Sequence, residues 1–307
     1  MLTNRAIKRS IKADQYEHPV IEAGEGSLVV CLHGFPDNYE TFQHQIGPVV
    51  DAGYRIVCPM LPGLTPGVQH PSGRTSPVFA CDALISLIEE LQREHGQTKC
   101  HLVGHDWGGA TAYLIAAKRP DLLKSLTTIC LPYNISLLRT LLRCPGYTIN
   151  AWYITLFQFW WLAEYFIGRN DFRFIDMLYR TWCPPWKDYD DRVTSVKKTL
   201  AEPGALRGAL GYYRNSIFGL NAESFKFRSM FRSNIEIPTL ALRGEHDQCI
   251  PGIAWEQISV RRFRDGLSLQ MVENTSHFPQ LENPDRVNQL LVSWLDEHDD
   301  RDSGQHR

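Results

Sequence analysis

The sequence predicts an α/β fold: a mostly parallel sheet flanked by helices, with an inserted helical cap. Three observations carry this. Short apolar runs alternate with helical segments over the first part of the 307 residues and again near the end. One such unit, KCHLVGHDWGGATAYLIAAKRP at 99–120, reads as a strand, a very tight turn and a helix. The alternation stops near Pro132, gives way to helical and loop material rich in Trp, Tyr and Phe, and resumes near Pro238.

The elements follow in order. SLVVCL (27–32) and YRIVCP (54–59) are continuous apolar runs, as expected of strands buried on both faces. The segment 39–51 between them has apolar residues at helical spacing, as does CDALISLIEELQR (81–93). Strands are expected at 126–131, 238–243 and 267–272, and a last helix, opening on Pro284 and Asp285, at 284–298. The expected domains are an α/β core at 1–134, a cap at 135–233, the second part of the core at 234–298, and a polar, disordered tail at 299–307. Such a cap would cover the carboxyl edge of the sheet, where α/β proteins bind ligands.

Composition removes several classes of function. Lys and Arg number 32 against 34 Asp and Glu, with no basic stripe, so nucleic acid is not an expected partner. The 8 cysteines lack C-x-x-C spacing, which argues against a zinc site or a disulfide framework. The amino terminus has basic residues but no apolar core of a secretory signal, so a cytoplasmic location is expected. The uncharged stretch YTINAWYITLFQFWWLA (147–163) is short for a membrane span and contains Asn150, Thr155 and Gln158. Tyr153, Leu156, Phe157, Trp160 and Trp161 recur instead at the spacing of one helix face, so a single lid helix is expected, with peripheral membrane contact through its aromatics as an option.

The turn at 104–108 carries the chemistry. Small residues two before and two after Asp106 let the backbone bend sharply and push the central side chain outward, as in the G-x-S-x-G nucleophile elbow. A carboxylate needs no base to be nucleophilic at neutral pH and can open an activated bond at saturated carbon, forming an ester. Hydrolysis of that ester needs a base. Among 11 histidines, His277 follows the last strand in a loop at the sheet's carboxyl edge. Asp247, in the loop after the preceding strand, is the acid expected to orient it, with Glu245 and His246 as bland neighbours. The amides of Phe35, in HGFP (33–36), and of Trp107 are expected to hold the developing oxyanion.

With HGFPDN, GHDWGG, the late Asp247 and His277 and a cap, the chain resembles the α/β-hydrolase-fold epoxide hydrolases over most of its length. That resemblance implies two cap tyrosines donating hydrogen bonds to the epoxide oxygen. WYITLFQ (152–158) matches the segment of the first, making it Tyr153; GALGYYRN (208–215) matches the second, pointing to Tyr213 rather than Tyr212. It implies hydrolysis of a small apolar epoxide to a vicinal diol, with Phe35, Trp107 and Phe157 against the substrate and neither metal nor organic cofactor. The loop PMLPGLTPG (59–67) departs from the family pattern, lacking its acidic residue and arginine. The alternative is a haloalkane or haloacetate dehalogenase using the same aspartate, where Trp107 would stabilise the halide; a non-catalytic relative is a third class.

Overall fold

The computed structural model describes residues 5–134, 136–216 and 219–299. The apolar runs form strands β1 (Ile7–Ala13), β2 (Tyr16–Ala23), β3 (Ser27–Leu32), β4 (Tyr54–Pro59), β5 (Cys100–His105), β6 (Leu123–Ile129), β7 (Thr239–Gly244) and β8 (Leu267–Val272). They assemble in the order β1-β2-β4-β3-β5-β6-β7-β8. From β4 to β8 every pairing is parallel, whereas β1 and β2 form an antiparallel hairpin that joins the edge at β4. This hairpin is an addition to the sequence reading. In IKRSIKA, Ile11 and Ala13 turn inward while Lys8, Ser10 and Lys12 stay out. A lysine-rich alternating strand is typical of a sheet edge and gives no apolar run to find.

Helices α1 (Gln43–Asp51), α2 (Pro77–His95) and α3 (Trp107–Lys118) precede β4, β5 and β6 respectively. Ser76 caps α2 by accepting from the Phe79 amide at 3.0 Å, and Gly96, at φ 63°, ends it. Between β6 and β7 lie α4 (Leu137–Arg143), α5 (Tyr147–Phe157), α6 (Trp160–Trp182), α7 (Asp190–Ala201), α8 (Ala205–Arg214) and α9 (Ala222–Met230). After β7 come α10 (Gly252–Trp255), α11 (Pro279–Glu282) and α12 (Pro284–Glu297). One face of the sheet packs on α1 and α12 through Ile46, Val49, Val287, Leu291 and Leu295. The other packs on α2 and α3, in an apolar core that continues into the cap through Tyr153, Phe157 and Trp182. Among the described residues, no helix is long and apolar enough to cross a membrane. Of the expected tail, 300–307 lie outside the described residues, while the Asp299 carboxylate accepts from Ser27 Oγ at 2.7 Å and Lys124 Nζ at 2.5 Å.

The single helix expected over 147–163 is two. α5 ends at Phe157, Phe159 is extended (φ −89°, ψ 95°), and α6 starts at Trp160. The cause lies in α8. Arg214 is buried and donates Nε to the Phe157 carbonyl at 2.7 Å and Nη2 to the Trp160 carbonyl at 3.0 Å, with its guanidinium 4.9 Å from the Trp160 ring centre. The Phe157 carbonyl is one that the end of α5 leaves open, and the bond to Trp160 ties the first residue of α6 to the same guanidinium. Tyr153 and Phe157 therefore face inward, while Trp160 and Trp161 turn out to the surface.

The cap is fastened to the core through the HGFPDN loop. Arg192 of α7 is buried, with Nε 3.0 Å from Asp37 Oδ1 and Nη2 donating to Asn38 Oδ1. Asn38 Nδ2 donates to Ser195 and Thr199, and Tyr179 of α6 donates its hydroxyl to the Pro36 carbonyl at 3.1 Å. Burial pushes the Asp37 carboxyl upward and Arg192 opposes it. Arg192→Met would leave that carboxylate without its cation, so a loss of about 3–5 kcal/mol is expected in urea unfolding. The double change Arg192→Met/Asp37→Leu should recover much of it; no recovery would show that Asp37 is not what Arg192 holds.

Candidate active site

Asp106 stands between β5 and α3 at φ 49° and ψ −119°, a region a non-glycine residue enters only under strain. The turn closes because its neighbours lack side chains. A Cβ on Gly108 would lie 2.2 Å from the Leu32 carbonyl oxygen, and one on Gly34 2.5 Å from Asp106 Cβ. α3 begins directly behind, at Trp107.

The loops at the carboxyl ends of β3, β5, β7 and β8 meet here. Asp106 Oδ1 accepts from the Phe35 amide at 2.8 Å. Its Oδ2 lies 3.7 Å from His277 Nε2, beyond hydrogen-bond length. On the other side of the ring, His277 Nδ1 is 3.1 and 3.2 Å from the two Asp247 oxygens. Asp247 Oδ1 is held in turn by the amides of Cys249 (2.8 Å) and Ile250 (3.0 Å), which complete the turn after β7. Glu245 instead accepts from the Asn274 amide, and His246 is exposed. Burial disfavours a charged His277, but Cys249, Asp247 and the contact with Asp106 outweigh it and hold its pKa well above the ordinary 6.5. The resting imidazole is thus a cation between two carboxylates. His105 is the opposite case: burial lowers it to about 4, and its neutral ring donates Nε2–H to the His277 carbonyl at 2.7 Å.

A cavity of about 540 Å³ opens in front of Asp106 under the cap. Trp107, Tyr153, Tyr213 and Cys249 line it, as do Tyr147 and Phe227. The tyrosine hydroxyls differ in their commitments. Tyr147 donates to the Cys249 carbonyl at 2.7 Å, and Tyr212 to the Pro62 carbonyl at 2.9 Å, away from the cavity. The latter bond, with the Leu61 amide donating to His33 Nε2 at 3.0 Å, is how the atypical 59–67 loop is held. Among the described residues, neither Tyr153 nor Tyr213 donates to a carbonyl; the Tyr153 hydroxyl has only Cys249 Sγ at 3.7 Å. Burial pushes both phenols well above 10, so both stay protonated. Phe35 and Phe157 are the other two residues expected against the substrate. They are not among the lining residues but stack edge-on behind Tyr213, at 5.4 and 4.9 Å between ring centres, and buttress it.

Three neighbours escaped the sequence reading. Cys249 and Tyr147 enter the cavity, and Glu282 braces His277. The Glu282 carboxylate accepts from the Ser276 amide at 2.8 Å and the Phe278 amide at 2.9 Å, on either side of the histidine. Glu282, the last residue of α11 and two before α12 begins, offers only a weak capping signal, because its partners are backbone groups brought round by the fold. Glu282→Gln replaces one acceptor by a donor facing an N–H, at about 1–3 kcal/mol. Loosening of the histidine loop should then slow ester hydrolysis about tenfold or more while ester formation keeps its rate, as single-turnover kinetics would show. A purely structural role would lower both alike. Cys130 Sγ, an Asp247 oxygen and a His277 nitrogen lie within 4.8 Å of one another, a spacing that could hold a metal ion. His277 and Asp247 are already paired, however, and burial pushes the Cys130 thiol up to about 12, so these donors suit a proton relay better.

An elbow aspartate after β5, an acid and a histidine after the last two strands, β7 and β8, and a sheet of this order define an α/β hydrolase. The family model for the alpha/beta hydrolase fold matches residues 27–284, and the chain belongs to that family. It is 30% identical over 271 residues to the AB hydrolase superfamily protein YfhM of Bacillus subtilis, covering 88% of this chain and 91% of that one. It is 28% identical over 284 residues to epoxide hydrolase 4 of Homo sapiens, covering 90% and 75%. The fold is also that of epoxide hydrolase A from Mycobacterium thermoresistibile, with TM-score 0.79, 21% identity and 96% and 99% of the two chains covered.

Proposed function

We propose that this chain hydrolyses small apolar epoxides to vicinal diols through an ester on Asp106. The observation that carries the reading is the pair of phenols, Tyr153 and Tyr213, that face the nucleophile's cavity uncommitted to any carbonyl while Tyr147 and Tyr212 are committed. The names of the human and mycobacterial proteins point the same way.

The geometry supports a division of labour on one carboxylate. Phe35 holds Oδ1, so Oδ2 attacks the ring carbon; the C–O bond breaks, and the alkoxide takes a proton from Tyr153 or Tyr213. Oδ1 is then the ester carbonyl oxygen, already on the Phe35 amide, with Trp107 at the head of α3 as the second donor for its oxyanion. Esterification removes the negative charge of Asp106 beside His277. The His277 pKa falls, the ring gives its proton back to the tyrosinate through the cavity, and the neutral ring accepts one from the water that attacks the ester carbonyl carbon. Asp247 keeps Nδ1 protonated and the ring oriented. The bond between the ester carbon and Oδ2 then breaks, Oδ2 leaves in the diol with the proton of the newly added hydroxyl, the water oxygen completes the restored Asp106 carboxylate, and the net reaction is epoxide plus water giving diol. The cavity lining of Tyr147, Phe227, Phe231 and Ile250 suits an apolar substrate. A reducing compartment such as the cytoplasm accords with eight free thiols, seven of them buried.

The tyrosines test this reading, because a halide leaves without a proton and an epoxide oxygen does not. Tyr153→Phe and Tyr213→Phe should each slow ester formation by about 10- to 1000-fold, by analogy with loss of one oxyanion donor. The double change should nearly eliminate it. Epoxide opening at the parent rate in the double variant would sink the assignment, and halide release from a haloalkane would then support the dehalogenase.

A further inference from the structure

The break between α5 and α6 leaves an aromatic surface that the reaction does not use. Trp152, Phe159, Trp160, Trp161, Leu162 and Tyr165 are exposed there, Trp161 by 78% and Tyr165 by 66%. Scattered apolar residues are ordinary on a protein surface, but a contiguous patch of this kind marks an interaction site. It continues into charge. Trp152 meets Phe174 at 6.0 Å between ring centres, Phe174 meets Phe166 at 6.0 Å, and the Arg169 guanidinium lies 4.5 Å from the Phe166 ring centre.

Beside the rings runs a groove of about 430 Å³ with Phe166, Phe174 and Met177 along it and Arg169, Arg173 and Arg180 around it. Of the nearby acids, Asp176 in the groove and Asp171 share Lys197 at 2.8 and 3.5 Å, which leaves one negative charge against the three arginines, and Glu164 pairs with Arg214 at 3.1 Å. Among the described residues the three arginines make no ion pair, so the groove carries a surplus of positive charge.

We propose that this face docks the protein on an anionic lipid bilayer, with the Trp and Tyr rings at headgroup depth and lipid phosphates on Arg169, Arg173 and Arg180. Amphipathic rings beside guanidinium groups are the composition of a membrane interface. No described helix crosses a membrane, so the contact is with the surface. The placement also serves access to the cavity. Leu141 and Ile154 of α4 and α5 line the cavity, while Leu142 and Trp152 of the same helices are exposed, so an apolar molecule dissolved in the bilayer meets the helices that cover the site. Lipid binding itself stands on this surface and not on the epoxide reading.

The test is flotation of the full chain with vesicles of phosphatidylcholine alone and of phosphatidylcholine mixed with phosphatidylglycerol, together with tryptophan emission. Binding to the mixed vesicles with a blue shift is expected, weakening with salt. Each arginine near an anionic surface is worth about fivefold in partitioning, so Arg169→Gln/Arg173→Gln should weaken binding about 30-fold. Trp161→Ser/Tyr165→Ser should abolish the blue shift. Both variants should keep the parent rate on a water-soluble substrate, which checks their folding. Failure to float, equal binding to both vesicle types, or variants that bind like the parent would each overturn the proposal. So would a concentration-dependent dimer, lost in Trp161→Ser/Tyr165→Ser, in a protein that ignores vesicles; the face would then join two copies.

Discussion

Asp106→Ala is expected to fold and to show no turnover. The carboxylate supplies the bond-forming atom, so the loss should be about 10⁵-fold or more, the scale on which a nucleophile's removal falls in well-studied hydrolases. The residue itself is held in a strained backbone conformation, and among the described residues its side chain accepts one hydrogen bond, from the Phe35 amide. Stability should therefore change little, because His277 can release its proton once the Asp106 charge is gone and keeps its pairing with Asp247. Substantial turnover in a correctly folded Asp106→Ala protein would remove the covalent route altogether.

His277→Gln is expected to stop the cycle halfway. Oδ2 can still attack, because nothing in that step needs a base, and the ester then has no group to activate water. Intact-mass analysis after mixing with an epoxide should show the protein plus one substrate, stable over the time of many parental turnovers. Absence of an adduct with substrate still bound would mean that the histidine acts earlier. The pH dependence separates the two forms of the histidine. In the resting protein the pKa is raised, so the imidazolium persists to high pH and is lost only as pH rises through that value. In the esterified protein the Asp106 charge is gone, so the midpoint for ester hydrolysis, which rises with pH, should lie below the pKa that NMR reports for the resting ring. Equal midpoints would show that Asp106 does not set the proton affinity of His277. Asp247→Asn should lower the midpoint further and yet slow hydrolysis, because the amide leaves the wrong nitrogen protonated.

The parts of this site legible in the sequence are those whose signal is local. The elbow could be read because its close backbone approaches demand glycine at 104 and 108, and β3 and β4 because strands buried on both faces are written as nearly unbroken apolar runs. The hairpin of β1 and β2 could not, since an edge strand alternates with lysine and presents no run. The lid helix was read as one because its periodicity continues past Phe157; the residue that ends it, Arg214, arrives from another helix. Phe157 shares a face with Tyr153, but its edge-on packing against Tyr213 joins two helices far apart in the chain and leaves no local signal. Glu282 left no trace for the same reason as Arg214: its partners are backbone amides that only the finished fold collects.

The position of the cap in the chain has a consequence for how such a protein folds and changes. β6 and β7 are neighbours, Leu126 beside Thr239, yet α4 to α9 are strung between them. The sheet cannot be completed until those two ends meet across the whole insertion, a non-local closure that slows folding and leaves β6 an open edge meanwhile. The entropic penalty of that closure grows only logarithmically, by about 0.6 kcal/mol for each doubling of the loop. Lengthening or shortening the insertion away from its contacts with the core therefore adds little to the entropic penalty of closing the sheet. Asp106, Asp247 and His277 all lie outside it, and Tyr153 and Tyr213 within it. Mutation can thus redraw the walls of the cavity in one stretch of chain while the bond-making groups are inherited intact in the other two, tied to it chiefly by the clasp of Arg192 on Asp37.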